Sequence, residues 1–217
     1  MSGALEEELR DGLSVLSVNL ADDQVSQLLA YLDLISKWGR VYNLTAVRDP
    51  AEMLTHHLLD SLAVIRPLRS VTDGRALALL DVGSGAGLPG VVIAICCPDI
   101  RVDCVDTVAK KGAFIQQAAG TLKLPNLKGL HNRVERLDGD YDVITSRAFA
   151  SLHDFVTLSS GVLAEAGVWM AMKGKHPADE IAGLPTEATV FHVEQLNVPG
   201  LEADRCLVWM KRAAAVT

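Results

Sequence analysis

Residues 81–90 read Asp-Val-Gly-Ser-Gly-Ala-Gly-Leu-Pro-Gly, and this stretch decides the fold. A mainly apolar, strand-like run over residues 76–82 leads into it, and a helix-like segment over residues 89–97 follows. The glycines therefore form a loop between a buried strand and a helix. Closely spaced glycines let a ligand approach the backbone N–H groups at the start of a helix. The stretch predicts a nucleotide-type site.

The rest of the chain continues the alternation of strand and helix. Strand-like runs cover residues 101–106, 127–131, 142–146 and 168–172, and helix-like stretches cover residues 110–123, 152–165 and 177–182. This pattern is typical of an α/β fold whose mostly parallel sheet is covered on both faces. Two last runs, residues 188–195 and 205–211, flank Pro199-Gly200 and predict a closing antiparallel hairpin.

The first 70 residues predict helices instead of strands. Apolar residues recur at helical spacing over residues 22–38, with Asp22 or Asp23 as the N-cap and Gly39 as the stop. Asp49 and Pro50 begin another helix that runs to about residue 66. We expect a helical N-terminal extension over residues 1–70 and a Rossmann-like domain over residues 71–217.

Composition excludes several classes of protein. With 49% hydrophobic and 22% charged residues in 217, the chain is neither disordered nor collagen-like. The longest uncharged apolar run, residues 88–98, is about half of what a bilayer crossing needs, so we expect a cytoplasmic protein without membrane contact. Four cysteines, two of them adjacent at Cys96 and Cys97, indicate buried thiols and not a disulfide framework or a zinc site.

The negative net charge of the chain does not exclude a nucleic-acid partner. The net charge is -7, but residues 1–33 contain seven acidic residues against one basic residue, so the remainder is close to neutral. A local basic rim on that remainder can still contact phosphates.

Two acidic residues narrow the choice of ligand. The spacing of Gly85, Gly87 and Gly90 matches the dinucleotide fingerprint and, by itself, does not distinguish cofactors. Asp81 at the strand end can pair with a cationic amino group and would repel a pyrophosphate, which favours S-adenosylmethionine over NAD. Asp106 ends the next strand, where a carboxylate accepts ribose hydroxyls in either cofactor. An NAD-dependent oxidoreductase and a non-catalytic cofactor-binding module remain the alternatives.

Further candidates follow the third and fourth strands. Val134 and Glu135 lie where the adenine of such a cofactor would bind, and Arg147 and Phe149 lie where the methyl group would be presented, with Phe149 a stacking partner for a base. Basic residues after strand ends predict a phosphate-binding rim, with ordinary solvated charge as the alternative. These are Lys110, Lys111, Arg133, Arg136, Lys173 and Lys175.

His56 and His57 share a helix with Asp60 and Ser61. Zinc requires at least three ligands, and no further motif completes a set, so we expect no metal. For this pair, both a buried polar contact with the core and a role facing a nucleic-acid partner or the pocket remain open.

Several motifs together resemble the RsmG (GidB) family of bacterial 16S ribosomal RNA guanine-N7 methyltransferases. They are WGRVYNLTAV (38–47), HLLDSL (57–62), DVGSGAGLPG (81–90), SRAFASL (146–152) and MKGK (172–175). The resemblance implies a class I methyltransferase fold with a seven-stranded sheet, and S-adenosylmethionine as the cofactor. It also implies 7-methylguanosine at position 527 of 16S ribosomal RNA as the product. The cofactor contacts it implies are Gly83, Leu88, Val134, Glu135 and Arg147, to which the residue-level argument adds Asp81, Gly85 and Asp106.

The implied reaction does not require a catalytic base. Guanine N7 has an in-plane lone pair and no hydrogen, so its methylation needs no general base and depends on alignment. We therefore expect Arg147 to act by orientation. The expected partner is 16S ribosomal RNA or the small ribosomal subunit, and the expected state of the protein is a monomer.

Overall fold

A seven-stranded sheet forms the centre of the computed structural model, which describes residues 2–42, 45, 47–147, 149 and 151–214. The strand order is β3-β2-β1-β4-β5-β7-β6, and β7 runs antiparallel to the other six strands. The strands are β1 Leu77–Val82, β2 Ile100–Asp106, β3 Leu127–His131, β4 Tyr141–Ser146, β5 Leu163–Lys173, β6 Ala188–Leu196 and β7 Arg205–Arg212. The predicted α/β class and the closing hairpin are confirmed.

Helices cover both faces of this sheet. They are α1 Ser2–Leu16, α2 Asp22–Tyr42, α3 Pro50–Met53, α4 Asp60–Leu62, α5 Ile65–Val71, α6 Gly90–Cys96, α7 Ala109–Thr121, α8 Leu152–Ser159 and α9 Ala178–Ala182. A π-helical segment, Leu54–Leu59, joins α3 to α4, and short 3-10 turns cover Val134–Arg136 and Ser160–Val162. Within the quoted motifs, Asn43, Leu44, Ala46, Ala148 and Ala150 lie outside the described residues.

The helix predicted from Asp49 to about residue 66 begins as expected, but a π-helical segment and a turn at residues 63–64 interrupt it, and its last part, α5, runs on to Val71. Two other predicted boundaries were wrong. The Asp49 carboxylate accepts hydrogen bonds from the N–H groups of Ala51 and Glu52. Gly39 does not end α2, because its φ is not positive and the helix continues to Tyr42. Residues 163–165 are strand and not helix, since Leu163 pairs with Tyr141 of β4 and tertiary pairing overrides local pattern.

The N-terminal helices share a core with the sheet. Buried side chains of α1, α2 and the π-helical segment form one apolar cluster with α6, α7 and the adjoining face of the sheet. Tyr31 and Trp38 of α2 both pack on Phe114 of α7. The opposite face has its own cluster beneath α8. The N-terminal helices therefore form part of the wall on one side of the sheet, next to the carboxyl ends of its strands.

The cysteines and the helices bear on two expectations from composition. All four cysteines are buried and none is paired, as predicted. Within the described ranges, no helix has the length and apolar character that a membrane crossing requires.

Candidate functional site

The glycine loop bridges the carboxyl ends of β1 and β2. Gly83 and Gly85 have φ values of +66° and +60°, which side chains disfavour, so the loop needs glycine there. The N–H groups of Gly83 and Ser84 donate to the carbonyl oxygen of Val105 over 2.9 and 3.2 Å. The loop is thereby held over the end of the neighbouring strand.

Asp106 fastens this loop to the start of α7. Its Oδ1 accepts a hydrogen bond from the N–H of Val108 at 2.9 Å, and its Oδ2 accepts from the N–H of Gly85 at 3.1 Å and from Nζ of Lys111 at 3.2 Å. The residue is only 6% exposed. A charge-assisted set of this kind fixes a carboxylate with its remaining lone pairs available at the pocket wall.

A pocket of about 360 Å³ opens beside this carboxylate, and we call it the loop pocket. It joins the ends of β1, β2 and β3, and combines the buried acid with apolar walls, a combination that suits a ribose and a planar base. Its lining residues are Val82, Gly83, Val105, Asp106, Thr107, Val108, Lys111, Asn132, Arg133, Val134, Glu135, Phe149 and Leu158. The structure thus brings together Gly83, Asp106, Val134 and Glu135, which were predicted to contact the cofactor. Phe149, predicted beside the methyl group, and Lys111 and Arg133, predicted in the phosphate-binding rim, line the same pocket.

Asp81 lies beneath the loop. Its Oδ2 accepts the N–H of Gly90 at 2.8 Å, and the side chain has no exposed surface. Burial raises the pKa of Asp81 to about 7, while the Gly90 N–H and the Arg147 guanidinium oppose that rise. Asp81, Gly85 and Leu88 are not among the described residues that line the loop pocket.

Arg147 follows β4 and connects the sheet to the N-terminal helices. It directly follows the last residue of β4, which pairs with β1 in the sheet. Its Nη1 donates to the carbonyl oxygen of His56 at 2.9 Å and to Oδ2 of Asp60 at 3.3 Å. Arg147 therefore links the carboxyl end of β4 to the π-helical segment and to Asp60.

Asp60 forms ion pairs with two arginines, Arg147 and Arg205. Its second oxygen, Oδ1, accepts a hydrogen bond from Nε of Arg205, the first residue of β7, at 2.9 Å. Asp60 is 2% exposed, and a buried carboxylate is tolerated only when it is paired in this way. We call Asp60, Arg147 and Arg205 the Asp60 cluster.

A second pocket of about 410 Å³ adjoins this cluster, and we call it the arginine pocket. It lies at the carboxyl ends of β4 and β5, the strands that continue the sheet beyond β1. Its lining residues are His56, His57, Asp60, Arg147, Met172, Lys173, Gly174 and Arg205. Arg147, for which the sequence predicted a cofactor contact, lines this pocket.

His57 is buried and makes a polar contact inside the N-terminal region. Its Nε2 lies 2.9 Å from Oγ1 of Thr45. Burial, reinforced by the positive charge of Arg147, lowers the pKa of His57 to about 4, so the ring is neutral at pH 7. His56 is exposed at the edge of the arginine pocket.

Several buried polar atoms near these pockets have no hydrogen-bond partner among the described residues. Asp81 Oδ1 and Ser146 Oγ belong to the carboxyl-terminal parts of β1 and β4, and His57 Nδ1 and Ser61 Oγ belong to the helical segment that Arg147 contacts. Buried polar groups are normally paired, so unpaired ones concentrated around a site suit a polar ligand. The amino and carboxylate groups of a methionine moiety have the matching chemistry.

The predicted basic rim divides into exposed and paired residues. Lys110, Arg133, Arg136 and Lys175 are exposed. Lys111 is engaged by Asp106, and Lys173 by both oxygens of Glu180 at 3.0 and 2.7 Å.

Sequence reasoning missed the role of Asp60 and did not consider Arg205. A single carboxylate among Leu58, Leu59 and Leu62 was a usable signal, because a charge in an apolar helical run needs a buried partner. For Arg205 we find no local signal.

Comparison with known proteins identifies the family of this chain and several proteins that are similar to it. The family described as rRNA small subunit methyltransferase G matches residues 24–208 of the chain. The protein called ribosomal RNA small subunit methyltransferase G in Albidiferax ferrireducens is 66% identical over 220 residues, covering 97% of this chain and 98% of that protein. A protein of the same name from a Polaromonas species is 64% identical over 214 residues, covering 97% and 95%.

Solved structures resemble the chain in fold. The crystal structure of a SAM-dependent methyltransferase from Aquifex aeolicus superimposes with a TM-score of 0.53 at 16% identity, covering 75% of this chain and 98% of that one. The sheet order and its single antiparallel strand agree with the class I methyltransferase fold.

Proposed function

Because the chain belongs to the rRNA small subunit methyltransferase G family, we propose that it transfers a methyl group from S-adenosylmethionine to 16S ribosomal RNA. The specific acceptor we propose is N7 of the guanine at position 527, as the resemblance implies. The helical residues 1–70 then serve as an extension of a methyltransferase domain that comprises residues 71–217. The observation that carries the proposal is the loop pocket, with a buried carboxylate at the end of β2 beside a glycine loop at the end of β1.

The loop pocket would hold the adenosine part of the cofactor. Asp106 would accept hydrogen bonds from the ribose hydroxyls, as it now accepts them from Gly85 and Lys111. Val134, Glu135 and Phe149 line the same pocket and would surround the base. When bound, the cofactor supplies an electrophilic methyl group on a sulfonium.

The methionine part would lie between the glycine loop and Arg147. Oδ1 of Asp81 and Oγ of Ser146 are buried without a partner among the described residues, and they would pair with the amino and carboxylate groups once the bound cofactor opens a path to them. Arg147 is fixed by two acceptors, so its guanidinium has a defined direction. Its role is orientation, and guanine N7 needs no side chain to remove a proton.

The oxidoreductase alternative has less support. A pyrophosphate over the glycine loop would face the buried Asp81 and the acceptor oxygens of Asp106, both unfavourable for an anion. The relatives described above are named as methyltransferases.

Two measurements test the proposal. Titration calorimetry should detect binding of S-adenosylhomocysteine and none of NADH at the same concentration. Labelled methyl groups from S-adenosylmethionine should enter small subunits from a strain that lacks this methylation. Binding of S-adenosylhomocysteine without methyl transfer would indicate a non-catalytic cofactor-binding module. Preferential binding of NADH would overturn the assignment.

A further inference from the structure

Apart from Asp60, the charged groups that line the arginine pocket are hydrogen-bond donors. Asp60 is the carboxylate among its described lining residues, and both of its oxygens are already used by Arg147 and Arg205. Arg205 donates through Nε to Asp60 and through Nη1 to the carbonyl oxygen of Asp204 at 2.9 Å. Among the described residues its Nη2 has no acceptor, so this nitrogen is available to a ligand.

Guanine and adenine differ on the edge that carries N7. Guanine presents two neighbouring acceptors, N7 and O6, whereas adenine presents the acceptor N7 beside an N6 amino donor. If N7 is to receive a methyl group, O6 is the acceptor left for recognition. A pocket that offers donors attracts O6 and opposes an amino group in the same position.

We propose that the arginine pocket receives the target guanine and that Arg205 donates through Nη2 to its O6, with Asp60 holding the guanidinium in place. This inference rests on the methyl transfer proposed above and adds the basis of its base specificity. Asp60 acts as a positioning residue, because its carboxylate is turned to Arg147 and Arg205 and is almost completely buried.

The different roles of Arg147 and Arg205 follow from their positions. Arg147 follows β4, which neighbours β1 in the sheet, and its charge acts on Asp81 and His57, so it lies on the side of the arginine pocket nearer the loop pocket. Arg205 begins β7, which lies beyond β5 in the sheet and farther from the glycine loop. Arg205 is therefore the donor on the acceptor side.

The test uses a substrate atom and a protein side chain together. Small subunits are reconstituted with 16S ribosomal RNA that carries either guanosine or 2-aminopurine at the target position. The analogue retains N7 and lacks O6. Wild-type protein should prefer guanine in kcat/KM by about tenfold to a hundredfold, the range expected for a hydrogen bond to a charged donor.

Variants of Arg205 should reduce this preference. Arg205→Met removes the donors, and Arg205→Lys retains a charge beside Asp60 with one nitrogen in place of the fork. We expect the preference to fall to within about threefold in both, as a coupled pair requires. If the Met variant does not fold, the Lys variant decides. Asp60→Asn, with one acceptor oxygen instead of two, should lower the preference in the same direction.

Arg212 provides the matched control. It lies at the other end of β7, where its Nη2 donates to the carbonyl oxygens of Ser160 and Leu163. Arg212→Met and Arg212→Lys should keep the wild-type preference. An unchanged preference in the folded Arg205 and Asp60 variants would overturn this inference alone. Failure of the wild-type protein to methylate guanosine subunits would instead overturn the proposed function.

Discussion

Replacing Asp106 by Asn tests the centre of the loop pocket with a minimal change. The side chain keeps its shape, but one carboxylate oxygen becomes an amide NH2. In one orientation this group faces the N–H of Val108, and in the other it faces the N–H of Gly85 and Nζ of Lys111. Either way a donor meets a donor, and the negative charge that would accept the ribose hydroxyls is lost.

The expected loss can be estimated from the hydrogen bonds involved. A hydrogen bond to a charged group contributes about 1.5 to 3 kcal/mol, and each 1.4 kcal/mol corresponds to about a factor of ten in affinity. Asp106→Asn should therefore weaken S-adenosylhomocysteine binding by about tenfold to a hundredfold. The same change should lower the free energy of unfolding, because the glycine loop loses one of its attachments.

Calorimetry with S-adenosylhomocysteine measures the effect, with circular dichroism to confirm folding. Asp142→Asn is the matched control, since that exposed carboxylate accepts the N–H of Ala78 at 2.8 Å near the amino end of β1, away from the loop. The control should bind normally. Equal dissociation constants for wild type and Asp106→Asn would refute the assignment of the loop pocket.

Three further outcomes are expected. Arg147→Lys should lose roughly a hundredfold in turnover at saturating cofactor, because a displacement of about 1 Å can cost that much, and near-normal turnover would remove its orientation role. Between about pH 4.5 and 6, His57 is neutral in the folded protein and protonated in the unfolded chain, so its contribution to the free energy of unfolding rises by about 1.4 kcal/mol per pH unit. Asp81 is protonated in the folded protein and ionised in the unfolded chain, so its contribution falls by about the same amount. When the free energy of unfolding from urea titrations is plotted against pH, His57→Gln and Asp81→Asn should change the wild-type slope in opposite directions. Slopes equal to that of the wild type in both variants would contradict these pKa shifts. Affinity for small subunits should fall with salt through the exposed basic rim, and a salt-independent affinity would exclude phosphate contacts.

The loop pocket was readable from sequence for a physical reason. In a parallel sheet the carboxyl ends of all strands meet at one edge, so residues that follow consecutive strands are brought together whatever their separation. Asp106 ends β2, Val134 follows β3 and Phe149 follows β4, and the structure places all three around one pocket. The pattern of strands was enough to predict their association.

The arginine pocket could not be predicted in this way. Asp60 and Arg205 are 145 residues apart, and their pairing depends on how the N-terminal helices pack against the sheet. No local periodicity encodes that contact. The burial of Asp81 beneath the loop was also missed, because the sequence gives its position at the strand end but not the direction in which the side chain is enclosed.

Mapping the transferred methyl group tests the central claim most directly. Small subunits that lack the modification are incubated with the protein and S-adenosylmethionine, and their 16S ribosomal RNA is treated with borohydride and aniline, which cleave the chain at 7-methylguanosine. Primer extension should then reveal one new cleavage, at guanine 527, that requires both protein and cofactor. No cleavage despite incorporation of labelled methyl groups, or cleavage at another guanine, would contradict the account.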